Sequence, residues 1–593
     1  MRPILAGPVN LPGTGGGRPE RAVAGAPVRA SMRMPPIQQQ REPDPAWPAT
    51  SLPAAARARL LLTPTQLCVI GGAFIALTAN GPFLSAMLDG HSAAAPSTWL
   101  FALALVAILS ATHTLLLSLL VVWPIARAAL GVVLLATALA SYYMQRYAVL
   151  LDPTMMRNVL KTHPAEATEL IGWGLLPHLA LLVGLPLAVL ARVEIVRQPL
   201  LRAAAGRAAV VVASAAVAVV ASLLAFQDLS AQIRNRRELR YLVTPANLVY
   251  SVGRVLADGR AEAAQPRTPV GVGARLDATW SARQRPVLFV LVVGETARAA
   301  NWGMNGYARQ TTPGLAQLDV INFPDVTACG TNTETSLPCM FAPVGRRNYD
   351  ERRIRTSESL LHLLKRAGFD LLWRDNQSGC KGVCDGLPEQ HTDPSRAPFC
   401  DGSQCLDEAL LDGLDAVAGD RHGNRVVVLH MLGNHGPAYY KRYPPAMRRY
   451  VPTCDTGELR NCSREQIVNA YDNALLYTDH VLSRAIALLR EQQGRRDTAL
   501  LYVSDHGESL GENGLFLHGL PFAIAPPEQT RVPMVLWMSP DFSRSAGVDV
   551  DCLRREAPRP WTHDNLFHTT LGLLRVQAPE YAPELDITRP CRA

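Results

Sequence analysis

Three short segments carry acidic and imidazole side chains where a metal ion could be held. Gly294-Glu295-Thr296, Gly433-Asn434-His435-Gly436 and Ser504-Asp505-His506-Gly507-Glu508 each follow an apolar, strand-like run. Carboxylates and imidazoles arriving together suit a hard-to-borderline divalent ion, and zinc best matches that donor set. Singly, each segment is weak: an Asp-His pair after a strand is often a loop start, and Glu295 alone serves equally as a helix cap. A further imidazole, His518, follows in a glycine-rich loop, GENGLFLHG; His480 and His568 fall within helical patterns and read as satisfied core or surface residues. The hydroxyl-dense segment TACGTNTETSLPCM at 327–340 offers a nucleophile. A loop running into a helix presents free backbone N–H groups to an anion, and a threonine hydroxyl touching zinc loses its proton more readily. The same composition also describes a plain helix cap rich in Ser and Thr, and both readings stand on the residues alone.

Such segments need a scaffold that gathers strand ends. Strand-like runs occur at 286–293 (PVLFVLVV), 425–430 (RVVVLH), 498–504 (TALLYVS) and 532–537 (VPMVLW), with helical patterns between them at 356–367 and 464–492. Strands alternating with helices indicate an α/β domain with a mostly parallel sheet covered on both faces. In open sheets of this kind the site lies beyond the carboxyl ends of the strands, so the three segments are expected at one edge of a domain spanning 285–593.

The chain of 593 residues is too long for one ordinary core, and its hydropathy divides it. Residues 1–65 are rich in Pro, Gly and Arg, with eight arginines against three acidic residues, and are expected to be a disordered cytoplasmic tail. That tail supplies much of the formal net charge of +8, so the basic balance reads as a solvated segment beside the inner leaflet and not as nucleic-acid binding. No cleavable signal peptide is recognisable at the N-terminus. Five apolar stretches, near 66–88, 98–123, 125–147, 171–192 and 207–226, are each long enough to cross a bilayer, which takes about 20 residues.

The Arg-rich tail, a loop at 89–97 without Lys or Arg, and Arg192, Arg197, Arg202 and Arg207 between the fourth and fifth stretches put the N-terminus inside. After five crossings the C-terminal domain lies outside; Arg234, Arg236, Arg237 and Arg240 pull mildly the other way. Beyond His113 and His178 the spans hold almost no ionisable residues, which fits an anchor better than a transporter. Residues 147–170 and 228–262 read as amphipathic connectors on the outer membrane surface, the second within a connector region at 227–284.

Ten of eleven cysteines follow residue 328, several as close pairs: Cys329/Cys339, Cys380/Cys384, Cys400/Cys405 and Cys454/Cys462, with Cys552 and Cys591 left over. An even count in a soluble region suggests disulfides and an oxidising compartment. A zinc cluster is the rival, but the spacings lack two CxxC knuckles.

Six ordered blocks carry a resemblance: VVGETARAANWGMNGY at 292–307, ACGTNTETSLPCM at 328–340, WRDNQSGCKGVCD at 373–385, GNHGPAYYKRYP at 433–444, NAYDNALLYTD at 469–479 and SDHGESLGENGLFLHG at 504–519. The chain resembles, over nearly all of 66–540, the phosphoethanolamine transferases, which include the lipid A-modifying and mobile colistin-resistance enzymes. That resemblance implies a five-helix transmembrane domain followed by an alkaline-phosphatase-like periplasmic domain in the Gram-negative inner membrane. It implies zinc ligands at Glu295, Thr333, Asp505 and His506, with one tightly bound Zn2+ and room for a second in turnover. Thr333 matches the nucleophile. His435 and His518 match positions that contact phosphoethanolamine or a second zinc, and Lys381 and Glu508 match further headgroup contacts. Gln377 stands where some relatives have Asn, which keeps the amide and lengthens the arm.

The implied reaction moves phosphoethanolamine from phosphatidylethanolamine to lipid A through Thr333, in a protein expected to act as a monomer. Phosphoglycerol transfer, or transfer to another periplasmic glycan or the lipopolysaccharide core, is the alternative. A sulfatase would need a modifiable Cys followed by Pro and Arg, whereas Met340, Phe341 and Ala342 follow Cys339. A non-catalytic scaffold would be expected to have lost ligands, yet Glu295, Thr333, Asp505 and His506 are all present.

Overall fold

In the computed structural model, residues 60–162, 164–263, 265–281, 283, 285–395, 398–414 and 423–592 are described. The expected disordered tail lies almost wholly outside them. The described chain opens with α1 (Pro64–Ala79), whose start is set by a capping box between Thr63 and Gln66. It breaks after Asn80, where Gly81 and Pro82 cannot sustain the helix, and resumes as α2 (Gly81–Leu88) with a 61° bend. Asn80 is fully buried, and its amide secures the break by donating to the Ile75 carbonyl at 3.0 Å and the Thr244 carbonyl at 2.9 Å.

There follow α3 (Pro96–Leu120), α4 (Ala126–Tyr147), the short α5 (Pro153–Lys161), the apolar α6 (Leu175–Ala191) and α7 (Leu200–Leu224). By length and composition three of these, α3, α4 and α7, can cross a membrane, and the bent α1–α2 pair makes up to four. The fourth apolar stretch of the sequence corresponds to α6, which is shorter. Large apolar side chains stand exposed on these helices, with Leu103 66 % and Leu224 82 % accessible, as suits surfaces that meet lipid tails. Two amphipathic helices come next, α8 (Phe226–Asn235) and α9 (Ala246–Ala263), and α5 packs against α9.

The C-terminal part is built on an eight-stranded sheet. Its strands are β1 (Val287–Gly294), β2 (Ile321–Thr327), β3 (Asp370–Asp375), β4 (Glu389–His391), β5 (Arg425–His430), β6 (Asp497–Ser504), β7 (Arg531–Met538) and β8 (Trp561–Thr562). The spatial order is β8-β2-β7-β6-β1-β5-β3-β4. β6, β1, β5, β3 and β4 run parallel, as do β2 and β8; β7 is antiparallel to both its neighbours, β2 and β6, so the sheet is mixed.

The central strands are buried along their whole length, which explains their unbroken apolar sequences. Alternation divides β1 between two cores. Phe289, Leu291 and Val293 pack with Leu337, Phe542 and Phe567 on one face. Leu288, Val290 and Val292 pack on the other with Tyr471, Leu475 and Leu482 of the long helix Arg464–Glu491.

Three helices matter for the site. α10 (Thr333–Met340) is capped by Asn332, whose side chain accepts from the Thr335 N–H. α11 (Glu351–Arg355) is capped by Asp350. α12 (Arg464–Glu491) begins in a Ser463/Gln466 capping box and buries a long apolar stripe. Five disulfides staple the loops, Cys329–Cys339, Cys380–Cys384, Cys400–Cys405, Cys454–Cys462 and Cys552–Cys591, while Cys68 is free and buried. The two cysteines that the sequence left over are thus joined.

Candidate active site

Because β6, β1, β5 and β3 are parallel and adjacent, their carboxyl ends deliver Asp505-His506, Glu295, the Gly433–His435 turn and the Gln377–Lys381 loop to one edge. Backbone approach there is close. At Gly433 φ is +52°, and a Cβ would stand 2.6 Å from the Glu295 carbonyl oxygen, so glycine alone fits. Thr296, next to Glu295, also has φ of +55°; its N–H donates to Asp505 Oδ1 at 3.2 Å and its carbonyl accepts from the Tyr471 hydroxyl at 2.6 Å. These contacts hold a conformation that a β-branched residue rarely adopts.

Glu295, Asp505 and His506 are buried, and one ligand atom from each lies within 4.8 Å of the others. Thr333, the first residue of α10, donates from Oγ1 to Glu295 Oε2 at 3.0 Å and lies 3.4 Å from His506 Nε2. Its loop is pinned by Cys329–Cys339 and by His563, whose Nδ1 accepts from the Cys329 N–H at 3.0 Å and whose Nε2 donates to the Ser504 carbonyl at 3.0 Å. Burial holds the His563 pKa down to about 3, so it stays neutral in this bridging role.

Burial is the largest influence on the three convergent ionisable groups, and their mutual charges decide the outcome. The Asp505 carboxyl is pushed up to about 6 by burial and by the Glu295 charge. Burial also pushes Glu295 up, but the hydrogen bond and charge of His506 overcome it and hold Glu295 well below the usual carboxylate range. Burial pushes His506 down, and the charges of Asp505 and Glu295 more than reverse that, raising it to about 10. Asp505 Oδ2 has no hydrogen-bond partner among the described residues. Two buried carboxylates with an unpartnered oxygen, one imidazole and one hydroxyl call for a dication, and they fit zinc in donor type and number.

A second cluster adjoins the first. Glu295, His435 and His518 also offer ligand atoms within 4.8 Å of one another. The His518 ring lies 4.3 Å from His506 and 5.8 Å from His435. Burial lowers His435 to about 3, so its imidazole stays neutral. Glu508 is engaged by His518 Nδ1 at 2.7 Å and by the Tyr439 hydroxyl at 2.5 Å. Gln377 Nε2 donates to Glu295 Oε2 at 3.3 Å, and Lys381, with φ of +50°, donates to the Ser378 carbonyl at 3.0 Å. All nine site residues singled out in the sequence therefore gather at this edge or on the loops beside it.

Comparison with known proteins follows the same division of the chain. Residues 109–259 match the family description "Phosphoethanolamine transferase EptA/EptB", and residues 288–576 match that of the sulfatases. Phosphoethanolamine transferase EptA of Escherichia coli K12 is 40 % identical over 466 residues, covering 77 % of this chain and 84 % of the relative. The chain belongs to the phosphoethanolamine transferase family. Phosphatidylethanolamine transferase Mcr-1 of Escherichia coli is 37 % identical over 75 % of this chain and 83 % of its own. The integral membrane lipooligosaccharide phosphoethanolamine transferase A of Neisseria meningitidis superposes with a TM-score of 0.85 at 34 % identity, over 90 % of this chain and 99 % of that one.

In this member of the phosphoethanolamine transferase family, residues that the sequence did not single out also lie at or beside this edge. His430, fully buried at the end of β5, is 2.8 Å from Asp375 at the end of β3. Against burial, the Asp375 charge raises the His430 pKa, and His430 in turn holds the Asp375 carboxyl far down. His563 and Glu334 were missed as well. Their partners are distant in sequence, and only strand ends in the fixed register revealed His430. His480 and His568 are peripheral, as expected: His480 lies 3.3 Å from Glu408, and His568 Nδ1 accepts from the Ala582 N–H at 3.1 Å.

Proposed function

We propose that this chain transfers phosphoethanolamine from phosphatidylethanolamine to a lipid A phosphate through a phospho-threonine intermediate on Thr333. The observation that carries the reading is the Thr333 hydroxyl at the first turn of α10, within 3.0 Å of Glu295 and 3.4 Å of His506. Glu295, Thr333, Asp505 and His506 would hold one zinc ion, with His435 and His518 beside them for a second in turnover. A zinc ion bound there supplies Lewis acidity, lowering the pKa of the threonine hydroxyl and withdrawing charge from phosphoryl oxygens.

Thr333 Oγ1 attacks the donor phosphorus, the bond to diacylglycerol breaks, and phosphoethanolamine stays on Thr333. An oxygen of the acceptor phosphate then attacks the same phosphorus and frees Thr333. The start of α10, where the Thr335 and Ser336 N–H groups are held by Asn332, would turn its Thr333 and Glu334 N–H groups to the equatorial oxygens in both steps. The proton that Thr333 loses in the first step goes to the leaving diacylglycerol oxygen, and the proton that the acceptor loses in the second returns to Thr333, with His435 or His518 as the carrier. Lys381 neutralises a phosphate oxygen and Glu508 receives the ammonium, for which its contacts with His518 and Tyr439 must open. A covalent intermediate requires ping-pong kinetics.

Both substrates are lipids, which accounts for an anchor of five crossings, with α1–α2 and α6 each counted as one, and a catalytic region from about 285 exposed in the periplasm as a monomer. Disulfides in that region agree with an oxidising compartment. The test is mass spectrometry of lipid A from a polymyxin-sensitive Gram-negative host expressing wild type or Thr333→Ala at matched levels. A phosphoethanolamine increment with wild type only is expected. An increment in both would remove Thr333 as nucleophile, and none in either would move the acceptor away from lipid A.

A further inference from the structure

Glu334, directly after the proposed nucleophile, is fully buried, and neither carboxylate oxygen has a hydrogen-bond partner among the described residues. Three cations surround it. Lys161 Nζ lies 3.4 Å from Oε2, an Arg355 guanidinium nitrogen 3.6 Å from Oε2, and Lys381 Nζ 3.6 Å from Oε1. Each comes from a different element: Lys161 ends α5 in the membrane connector, Arg355 ends α11, and Lys381 sits on the loop stapled by Cys380–Cys384.

The pairs continue outward. Arg355 also meets Glu351 at 3.1 Å; Glu351 pairs with the buried Arg157 of α5; and Arg157 is 3.9 Å from Asp258 and 3.8 Å from Glu262 of α9. One chain of alternating charges thus runs from the amphipathic helix α9, through α5, to the residue beside Thr333. Lys161, half-exposed, lines a cavity of about 460 Å³ together with Gln377, Ser378 and Arg442.

A buried carboxylate without hydrogen bonds is sustained by its counter-charges, and it supplies charge to cations whose other contacts include the Ser378 carbonyl, for Lys381, and Glu351, for Arg355. The side chains of Lys381 and Arg355 are 4 % and 7 % accessible, so without the Glu334 charge Lys381 would be a buried cation with no carboxylate partner among the described residues, and Arg355 would keep Glu351 alone.

We propose that Glu334 is a positioning residue, locking Lys381 beside the nucleophile and clamping the connector helix α5 across the active site through Lys161. It does not touch the reacting atoms. The consequence is that delivery of a lipid donor and placement of the phosphate-neutralising lysine are set by one charge. The inference rests on the transferase reading for its kinetic part only.

The experiment uses the full chain, zinc-loaded, in phosphatidylethanolamine-containing nanodiscs. Glu334→Gln, Glu334→Asp, Lys161→Gln and Lys161→Arg are compared with wild type and Thr333→Ala. Headgroup transfer gives kcat and KM for the donor, and hydrogen exchange reports on residues 153–161. Glu334→Gln is expected to lower kcat/KM at least tenfold, with substantial recovery in Glu334→Asp. Lys161→Gln is expected to act mainly on KM, and Lys161→Arg to stay within threefold of wild type.

Exchange in α5 should accelerate at least fivefold in both neutralised variants and not in Thr333→Ala, a pattern that a general loss of folding would not give. Unchanged α5 exchange in Lys161→Gln and Glu334→Gln would overturn the clamp, as would wild-type kcat/KM in both. If Glu334→Gln does not fold, Lys161→Gln decides alone, by exchange and KM together. If wild type itself transfers nothing, the transferase reading fails, and the exchange result still decides the clamp.

Discussion

At the residue scale, the proposed reading separates one hydroxyl that would react from three groups that would hold the metal. Thr333 shares its hydrogen with Glu295, whereas Glu295, Asp505 and His506 are fixed by burial and by one another. Asp505→Asn should therefore weaken zinc binding by more than about 100-fold, since even changes behind a ligand cost roughly 10- to 100-fold. Thr333→Ala, with three ligands left, should retain near-stoichiometric metal while losing transfer by at least roughly 10³-fold. Metal content by mass spectrometry beside turnover checks both, and a metal-free Thr333→Ala would make Thr333 a holder first.

Glu295, Asp505 and His506 were legible as metal-binding candidates because their types arrive together after strand-like runs, whereas Thr333 was singled out within its hydroxyl-dense segment by the family resemblance. Glu334 was not legible: its sequence setting, Thr-Glu-Thr-Ser, is that of an ordinary first helical turn. Nothing local betrays that Lys161, far earlier in the chain, meets it.

At the element scale, the carboxyl ends of β1, β5 and β6 are in register, and the turn after β5 touches β1 without any side chain between them. Gly433 makes that contact possible. Gly433→Ala combines a left-handed φ of +52° with a carbon 2.6 Å from the Glu295 carbonyl, so Glu295 or the turn must shift. We expect a loss of roughly 1–3 kcal/mol in stability, and a fall in transfer of more than about tenfold, because sub-ångström placement is what such sites depend on. Denaturant unfolding and turnover on one preparation would test it; full activity would mean that Glu295 tolerates displacement.

The central strands were readable to within a residue or two because burial on both faces imposes continuous apolar runs. β7 has the same composition, RVPMVLWM, and runs the other way. Strand direction depends on the connection and not on the apolar pattern, so the mixed sheet could not be read there. β4 and β8, three and two residues long, gave no pattern at all.

At the scale of the whole molecule, an apolar helical region is joined to a sheet domain through α5 and α9, and Lys161, at one end of the charge chain that includes Arg157, lines the cavity beside the site. This arrangement suits substrates that never leave a membrane. The apolar stretches were plain in the sequence, but the bend at Asn80 was not, since it depends on the distant Thr244 backbone as much as on Gly81 and Pro82. The physiological consequence follows from charge. Each phosphoethanolamine added to a lipid A phosphate places an ammonium beside the anion, and a less negative outer surface concentrates cationic peptides less strongly. Expression of wild type in a sensitive Gram-negative host should therefore raise the inhibitory concentration of polymyxin by roughly fourfold or more, the effect weakening as ionic strength rises and screens the surface. Thr333→Ala at equal abundance should give no increase. If wild type modifies lipid A fully and susceptibility stays the same, the charge argument fails at the cell surface while the enzymology stands; if resistance appears with Thr333→Ala, it arises from the anchor's presence in the membrane and not from transfer.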